Sequence, residues 1–431
     1  MTTESKAASE ATEQPTTLPI ATRRKIFVYL GALIALLTFG DPNGGLMQVP
    51  ISFLLKNKLH LEAHELAIFQ LVAAIPLYLS SVFGFIRDRW NPLGLKDRGF
   101  FILFGACSAI LYAHFAFVPV TTATLLVAFL LLTTSFLFVD SAQNGLASVL
   151  GQQHAMTGQI SALWNIFGTF PVVAALLAGG AFSDILEGEN ADQAARSLFL
   201  AGAAILGAVA LFGLFRPSSV YDNVKAESGA ARTFDDVKRL LTHWPIYPAL
   251  AIWLLWNFAP GSQTPLQYFL QDKLHAEDLE WGVWNAVFSA AFVPTFLAYG
   301  FLCRRFSLKT LLLWGTLIAI PQFVPLLFVH SATGALIAAA PAGLMGGIAT
   351  CAYLDLIIRA CPPGLQATTL MLSSALFYVA TRFGDVLGTA LYDYYGGFTA
   401  CVLMITIVYA LIIPFIFLVP RSLILSSDAG P

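Results

Sequence analysis

Long apolar runs dominate this sequence and set the first limit on its fold. About twelve of them follow one another with mostly short polar turns between, and each is near the roughly 20 residues that a helix needs to cross a bilayer. Hydrophobic residues make up 57% of the chain and charged residues 11%, whereas soluble proteins contain about 25% charged residues. The sequence therefore predicts an all-α integral membrane protein with twelve transmembrane helices.

The predicted helices form two groups of six around one polar connection. The apolar runs lie at residues 25–55, 64–86, 99–118, 121–149, 158–182 and 194–215, and then at 246–271, 281–302, 309–330, 333–360, 364–391 and 397–420. We expect a disordered cytoplasmic tail at 1–24, an N-terminal six-helix bundle at 25–215, a cytoplasmic linker at 216–245, a C-terminal six-helix bundle at 246–421 and a cytoplasmic tail at 422–431.

Basic residues are concentrated in alternate turns, which predicts the orientation of the chain. Lysine and arginine are retained on the cytoplasmic side of a membrane. They cluster before the first helix, between the second and third, between the eighth and ninth, and after the twelfth: Arg23, Arg24 and Lys25; Arg87, Arg89, Lys96 and Arg98; Arg304, Arg305 and Lys309; and Arg421. Both termini are therefore predicted to be cytoplasmic, with the protein in the cell membrane, or in the inner membrane of a bacterium.

An internal repeat relates the two groups of helices. Pro50-Ile-Ser-Phe-Leu-Leu-Lys-Asn-Lys-Leu-His-Leu-Glu62 aligns with Pro265-Leu-Gln-Tyr-Phe-Leu-Gln-Asp-Lys-Leu-His-Ala-Glu277, and the same shift takes Asp140 to Asp355. With one inserted residue, it takes Gly84 to Gly300. Two homologous six-helix halves are typical of major facilitator transporters, which bind substrate between the halves near mid-membrane. The predicted fold is thus the major facilitator fold.

Several stretches of the chain also resemble the folate-biopterin transporter family within that superfamily. They are Phe53-Leu54-Leu55 through Pro76 to Gly84-Phe-Ile-Arg-Asp88, Val139-Asp140-Ser141-Ala142, Gly158-Gln-Ile-Ser-Ala-Leu-Trp164, Gly179-Gly180, Pro265 to Leu274, and Arg359-Ala-Cys-Pro-Pro-Gly-Leu-Gln-Ala-Thr368. The chain departs from the family in having fewer basic residues in Gly94-Leu-Lys-Asp-Arg98 and a glutamine, Gln366, where an acid is expected. The resemblance implies a pterin or folate as cargo.

The same resemblance implies a gate at the cytoplasmic end of the second helix. Gly84, Asp88 and Arg89 occupy the place of the gating motif of major facilitator proteins, just before a basic turn. By this resemblance, Asp88 holds the cytoplasmic gate closed. The alternative is an ordinary charge at the membrane boundary.

Six charged residues inside predicted helices are the first candidates for function. A charge in the hydrocarbon costs at least about 2.5 kcal/mol, so one that persists there usually faces a cavity or a partner. The six are Asp41, Asp140, Asp355, Arg359, Arg382 and Asp385. Asp355 and Arg359 are four residues apart, and Arg382 and Asp385 are three apart, so each pair can lie on one helix face and form an ion pair. The two ion pairs would serve proton coupling or, alternatively, would lock neighbouring helices together.

The other two acids differ from these pairs. Asp140 lies near Gln143 and Asn144 without a basic neighbour, which favours a role in carrying protons or contacting substrate. Asp41 stands in a Pro- and Gly-interrupted stretch, Phe39-Gly-Asp-Pro-Asn-Gly-Gly45, and Pro260-Gly261 lies at the matching place in the second half. Matching helix breaks point to binding sites in transporters, although a flexible helix end is the alternative.

Aromatic and amide side chains near these acids suit a flat heteroaromatic cargo. The candidates are Trp164 and Asn165 on the fifth helix and Trp253, Trp256, Asn257, Gln263 and Gln267 on the seventh. Tryptophan also anchors helices at the membrane interface, which is the structural alternative for each indole.

Other classes of function lack their sequence signals. The chain has no phosphate-binding loop, nucleophile elbow or His-Glu-x-x-His motif, so neither ATP-driven transport nor an enzyme is expected. A net charge of −2 gives no basis for nucleic-acid binding, and five scattered cysteines suggest no metal site and no cofactor. We therefore predict a monomeric secondary active transporter that moves a small organic solute through the lipid bilayer by alternating access, coupled to protons. The alternatives are a non-transporting scaffold or assembly factor of the same fold and a facilitator of another solute class.

Overall fold

The computed structural model describes residues 18–428, except for 45, 48–49, 52–53, 62, 187–190 and 225–232. Its regular elements are helical throughout this described part. Eight helical stretches there are long and apolar enough to cross a membrane, as judged from length and composition. The structure thus agrees with an all-α membrane protein.

The helices before the polar connection follow the predicted order. They are α1 (Ile20–Gly40), a π-helix (Leu54–Lys58), α2 (Ala63–Ala73), α3 (Ile75–Tyr78), α4 (Ser80–Arg89), α5 (Asp97–Phe115), α6 (Thr122–Gln153), α7 (Thr157–Leu186) and α8 (Ala191–Leu214). The connection holds two short helices, α9 (Ser218–Tyr221) and α10 (Thr233–Thr242). We call α1–α8 the N-half.

The helices after the connection repeat this pattern. They are α11 (Ile246–Asn257), α12 (Thr264–Tyr268), a second π-helix (Phe269–Lys273), α13 (Asp278–Leu302), α14 (Leu308–Ala319), α15 (Ala332–Ala360), α16 (Gln366–Tyr394), α17 (Gly397–Ala410) and α18 (Ile412–Leu418). A final short helix, α19, spans Arg421–Ile424. We call α11–α18 the C-half.

Both halves begin with an interrupted helix, at the places where the sequence predicts breaks. In the N-half, α1 ends at Gly40, and the backbone N–H of Asn43 donates to Oδ1 of Asp41 over 2.9 Å, which stabilises a turn. In the C-half, α11 ends at Asn257, and Gly261 adopts a φ of 107°, a conformation that glycine tolerates. Each break is followed by one of the two π-helices, so the interruption is repeated in detail.

The structure corrects two of the predicted domain boundaries. The expected disordered tail at 1–24 is wrong for its last residues, because α1 already begins at Ile20; residues 1–17 lie outside the described part. The expected tail at 422–431 also differs, because α19 and the residues up to Asp428 pack against the helices. Composition had suggested disorder at 1–24, whereas 422–431 was expected only to be a cytoplasmic tail.

Close helix packing joins the two halves. The helix α4 of the N-half packs on α16 of the C-half, and α7 of the N-half packs on α13 of the C-half. We call these the two interface pairs. At the first pair, a Cβ on Gly84 would lie 2.5 Å from the carbonyl oxygen of Ala367. Only glycine allows this approach, because no flexible side chain is present there to move aside.

Replacing Gly343 with alanine tests packing within the C-half. A Cβ at this position on α15 would collide with the carbonyl oxygen of Phe288 and lie 2.8 Å from the Cβ of Ala291, both on α13. We expect Gly343→Ala to destabilise the protein by about 1–3 kcal/mol, the usual cost of overpacking. The control is Gly282→Ala, where a Cβ meets nothing within 4 Å and a helical alanine is favoured. Thermal unfolding of the detergent-solubilised protein measures both, and equal unfolding temperatures would contradict the packing argument.

Candidate functional site

A cavity of about 220 Å³ lies between the two halves and brings several predicted residues together. Six predicted site residues line it: Asp41, Asp140, Gln143, Asn144, Trp164 and Trp253. Side chains from α1, α6 and α7 face others from α11 and α16 across this space. A pocket shared by both halves is where alternating access places a substrate site.

The two carboxylates of this cavity have few partners. Asp140 accepts a hydrogen bond from Nδ2 of Asn144 over 3.1 Å, and Asp41 accepts the turn-forming bond from Asn43. No lysine, arginine or histidine is among the described residues that line the cavity. The cavity therefore carries acidic groups without a basic counterpart.

Two amide groups beside Asp140 have unused hydrogen-bonding capacity. Nε2 of Gln143 and Oδ1 of Asn144 are buried and have no hydrogen-bond partner among the described residues. A buried polar atom without a partner costs about 1–3 kcal/mol. One donor and one acceptor beside the cavity are therefore unsatisfied among the described residues.

Aromatic side chains form much of the remaining wall of the cavity. Not every predicted tryptophan is among them. Trp164 from α7 and Trp253 from α11 line the cavity, together with Phe136, Phe377 and Tyr378. Trp253 is held by a hydrogen bond of 2.9 Å from its Nε1 to the carbonyl oxygen of Ser373.

The predicted Trp256 lies elsewhere. It stacks on Tyr409 with ring centroids 4.6 Å apart and packs edge-on against Tyr353. It is a packing residue within the C-half, and Trp253, one turn earlier, takes the expected place in the cavity.

A second, smaller cavity of about 160 Å³ adjoins the first. Leu77 and Tyr378 line both spaces, so these two side chains stand at the boundary between them. Arg382 lines the second cavity together with Asn43 and Gln70. Of the predicted charged residues, Arg382 is thus near the central cavity but not in it.

The predicted pair of Arg382 and Asp385 does not form among the contacts of the described residues. Asp385 instead accepts from the backbone N–H of Thr264 over 3.0 Å and from its hydroxyl over 2.8 Å. It thereby caps the start of α12, just after the break in the first helix of the C-half. A spacing of three residues allowed the two side chains to meet along one helix, but the free helix start of α12, also in the C-half, offered better donors to Asp385.

Three predicted amide residues also lie outside the two cavities. Asn257 donates to the carbonyl oxygen of Trp253 in its own helix over 2.8 Å. Gln263 is exposed and Gln267 is half-buried.

The predicted pair of Asp355 and Arg359 forms, but neither residue is among those that line the central cavity. Nε of Arg359 donates to Oδ1 of Asp355 over 2.8 Å, and the hydroxyl of Tyr299 donates to the other carboxylate oxygen over 2.9 Å. The side chain of Asp355 is fully buried. This pair lies at the end of the bundle that also holds Asp88, which we call the Asp88 end.

Asp88 joins the two halves at this end. It accepts hydrogen bonds from the backbone N–H of Thr368 over 2.8 Å, from the Thr368 hydroxyl over 2.6 Å and from the N–H of Ala367 over 3.3 Å. These donors belong to the first turn of α16, where a carboxylate also meets the positive end of the helix dipole. Arg87 pairs with both Asp88 and Asp97, and Arg89 pairs with Asp236 of α10.

A second carboxylate, which sequence reasoning missed, makes the equivalent contact at the other interface pair. Asp428 accepts from the backbone N–H of Gln159 over 3.0 Å and from the hydroxyl of Thr157 over 3.3 Å, at the start of α7. It also receives Nη2 of Arg359 over 3.0 Å and donates its own N–H to the carbonyl oxygen of Cys303 over 2.9 Å. Residues 421–428 thus bridge the N-half and the C-half.

The surroundings of Asp428 change its acidity. Burial, and then the nearby carboxylate of Asp355, raise the pKa of Asp428 to about 6, against the opposing effect of the Arg359 guanidinium. A carboxyl whose pKa is higher when docked than when free binds its proton more tightly in the docked state. Docking of this segment therefore becomes stronger as the pH falls from about 6 toward the pKa of a free carboxyl, about 4, and does not depend on this proton above pH 6.

Comparison with known proteins supports a transporter fold. Residues 155–384 match the family described as the Major Facilitator Superfamily. Among solved structures, the chain is similar to FucP, a transporter of this superfamily in the outward conformation, with a TM-score of 0.68, 16% identity, and coverage of 91% of this chain and 98% of FucP. No protein of curated function matches the sequence.

Two further structures show the same likeness. The human organic anion transporter MFSD10 aligns with a TM-score of 0.63 and 16% identity, over 93% of this chain and 100% of that one. The proton:xylose symporter XylE, bound to 6-bromo-6-deoxy-D-glucose, aligns with a TM-score of 0.68 and 12% identity, over 92% and 96%. Because the family match spans more than half of the sequence, the chain belongs to the major facilitator superfamily, whose members are multi-pass membrane transporters and not enzymes.

Proposed function

We propose that this protein is a proton-coupled secondary transporter of a small organic solute, with its binding site in the central cavity. The observation that carries the proposal is the placement of Asp41 and Asp140 in a space shared by both halves, beside amide groups that lack partners among the described residues. Acidic groups inside a membrane protein most often mark ion or substrate pathways. The folate-biopterin family remains the suggested branch on the strength of the sequence resemblance.

The proposed topology has twelve transmembrane helices in two six-helix bundles, at residues 25–215 and 246–421, joined by a cytoplasmic linker at 216–245. Both termini are then cytoplasmic, and the protein acts as a monomer in the cell membrane. This arrangement places the Asp88 end on the cytoplasmic side, where basic residues are retained. The structure then has its cytoplasmic side closed, and the smaller cavity with Arg382 lies toward the opposite side.

The charge of the cavity limits the charge that its cargo can carry. Two carboxylates without a basic counterpart among the described lining residues disfavour an anionic group by like-charge repulsion, which is strong at low dielectric. A neutral pterin ring suits the aromatic walls and the free amide of Gln143, whereas the carboxylates of a folate suit this space less well. We therefore propose an uncharged or cationic heteroaromatic solute.

The proposed coupling depends on Asp140. Proton coupling requires a carboxyl that can lose and regain its charge during the cycle, and Asp140 is next to the amides that would contact cargo. The buried pair of Asp355 and Arg359 serves the Asp88 end instead, where it holds the 421–428 segment.

The proposed cytoplasmic closure uses two carboxylates. Asp88 of the N-half caps α16 of the C-half, and Asp428 caps α7 of the N-half while Arg359 of the C-half holds it. Opening toward the cytoplasm must break both sets of contacts. We assign Gly84, Asp88, Arg89 and Asp428 to the gate.

Replacing Asp140 with asparagine tests coupling. In proteoliposomes, we expect Asp140→Asn to lower cargo-driven proton movement at least about tenfold, as would follow from the loss of about 1.4 kcal/mol of interaction. A panel of pteridines, folates, amino acids, nucleosides and sugars supplies the cargo. The control is Asp222→Asn, which removes a carboxylate that is 56% exposed. Unchanged proton movement in Asp140→Asn would contradict the assigned role, and no flux with any cargo from folded protein would favour a non-transporting scaffold.

A pair of related cargoes tests the charge argument. We expect a neutral pterin to be transported with an affinity at least about tenfold higher than a folate carrying the same ring, because the folate brings carboxylates toward Asp41 and Asp140. Competition for uptake measures both affinities in one preparation. Equal affinities would show that the anionic part does not enter the cavity, and a preference for folate would contradict the proposed cargo class.

Removing the carboxylate of Asp428 tests the second closing contact. We expect Asp428→Ala to expose Cys303, which is buried beneath it, and to raise the rate of maleimide labelling at that cysteine about tenfold. The other four cysteines are first replaced by serine. The matched control is Ser427→Ala, an exposed neighbour. Equal labelling rates in the two variants would show that the segment does not hold this end closed.

A further inference from the structure

A groove at the Asp88 end combines guanidinium groups with an apolar wall. It encloses about 360 Å³ between the start of α1, the first turns of α7 and the residues that follow α13. Arg23, Arg24 and Arg304 line it together with Phe27, Leu163 and Phe167. None of the described residues that line it carries a carboxylate.

One guanidinium of this groove, that of Arg304, has unused hydrogen-bonding capacity among the described residues. Arg23 and Arg304 are close enough to repel each other electrostatically, and Asp428 is the acid that acts on Arg23 in the opposite sense. The oxygens of Asp428 are already occupied by the start of α7 and by Arg359. Nε of Arg304 is buried and has no hydrogen-bond partner among the described residues. An anion that Arg304 turned to meet in the groove would give this donor a partner.

The internal repeat explains why an arginine is present at this place. The shift that takes Gly84 to Gly300 takes Asp88 to Arg304. A cation cannot cap the start of a helix as Asp88 does, because that end of the helix dipole is positive. Asp428 makes the cap instead, and Arg304 is directed to the groove beside it.

We propose that this groove binds the phosphate head group of an anionic phospholipid, with an acyl chain along Phe27, Leu163 and Phe167. Arginine forms short, paired hydrogen bonds with phosphate oxygens, and basic pockets between membrane helices bind anionic lipid head groups. Val28 lines the groove and is 65% exposed, so the groove opens onto the outer surface of α1, which the proposed topology sets against the bilayer. The apolar wall favours a lipid over free phosphate, which has no acyl chain.

The groove also links the two halves. Arg23 and Arg24 belong to the N-half, and Arg304 follows α13 of the C-half. Gln159 lines the groove and donates both its backbone N–H and its side-chain amide to Asp428. A bound head group therefore adds a bridge to the same closed end that Asp88 and Asp428 hold together.

Native mass spectrometry of the detergent-solubilised protein tests this site. Titration with phosphatidylglycerol should give a tightly bound lipid, and Arg304→Gln should weaken that binding about tenfold while leaving the weaker binding of phosphatidylcholine unchanged. Arg304→Lys should keep most of the affinity because it keeps the charge. Arg216→Gln, which removes an exposed arginine paired with Asp222, is the matched control.

Two results would count against a lipid in this groove. Phosphatidylglycerol binding that is equal in Arg304→Gln, Arg216→Gln and the unchanged protein would overturn the proposal. Displacement of the lipid by millimolar inorganic phosphate would overturn the lipid assignment in favour of a free anion. If Arg304→Gln does not fold, Arg24→Gln at an exposed position gives the same comparison, and loss of binding there supports the site.

Discussion

Carboxylates placed at the first turns of helices hold this molecule together across its interface. In a medium of low dielectric, an ionised oxygen needs several donors, and the free N–H groups of a helix start provide them at fixed positions. Asp88 and Asp428 use this solution between the two halves, and Asp385 uses it within the C-half, each on a helix that lies far away in sequence. The same condition makes the two cavity acids distinctive, because Asp41 and Asp140 have no helix start or basic group to receive them within the described part of the chain.

Much of the fold was predictable because apolar length is a strong signal. The helix limits near residues 122, 157, 246, 278, 332 and 397 agree with the predicted runs within a few residues. The breaks after Gly40 and Asn257 were also confirmed, since proline and glycine interrupt the backbone ladder whatever surrounds them. The expected disorder at 1–24 was wrong from Ile20 onward, and the docking of Asp428 was not foreseen, because composition does not reveal a distant partner.

The site was harder to predict because membrane helices are apolar on most sides. Periodicity then does not show which face of α11 meets the cavity, so Trp253 and Trp256 were both candidates although only Trp253 lines the wall. Spacing along one helix likewise suggested a pair between Arg382 and Asp385, although the nearest donors of Asp385 are on α12. Acids and amides on α6 were predictable, since Asp140, Gln143 and Asn144 are polar within an otherwise apolar run. Asp428 gave no comparable signal.

The two π-helices that follow the breaks affect how bending of one helix segment is transmitted to the next. A continuous helix carries bending and twisting along an unbroken ladder of hydrogen bonds, whereas a break followed by a wider turn interrupts that ladder. The breaks after Gly40 and Asn257, with the π-helices Leu54–Lys58 and Phe269–Lys273 that follow them, therefore divide the first helix of each half into two short segments. The connection between the two segments bends more easily than a continuous helix. The segments that follow the breaks can tilt while the segments that line the central cavity keep their positions. The two ends of the molecule therefore need not move by equal amounts.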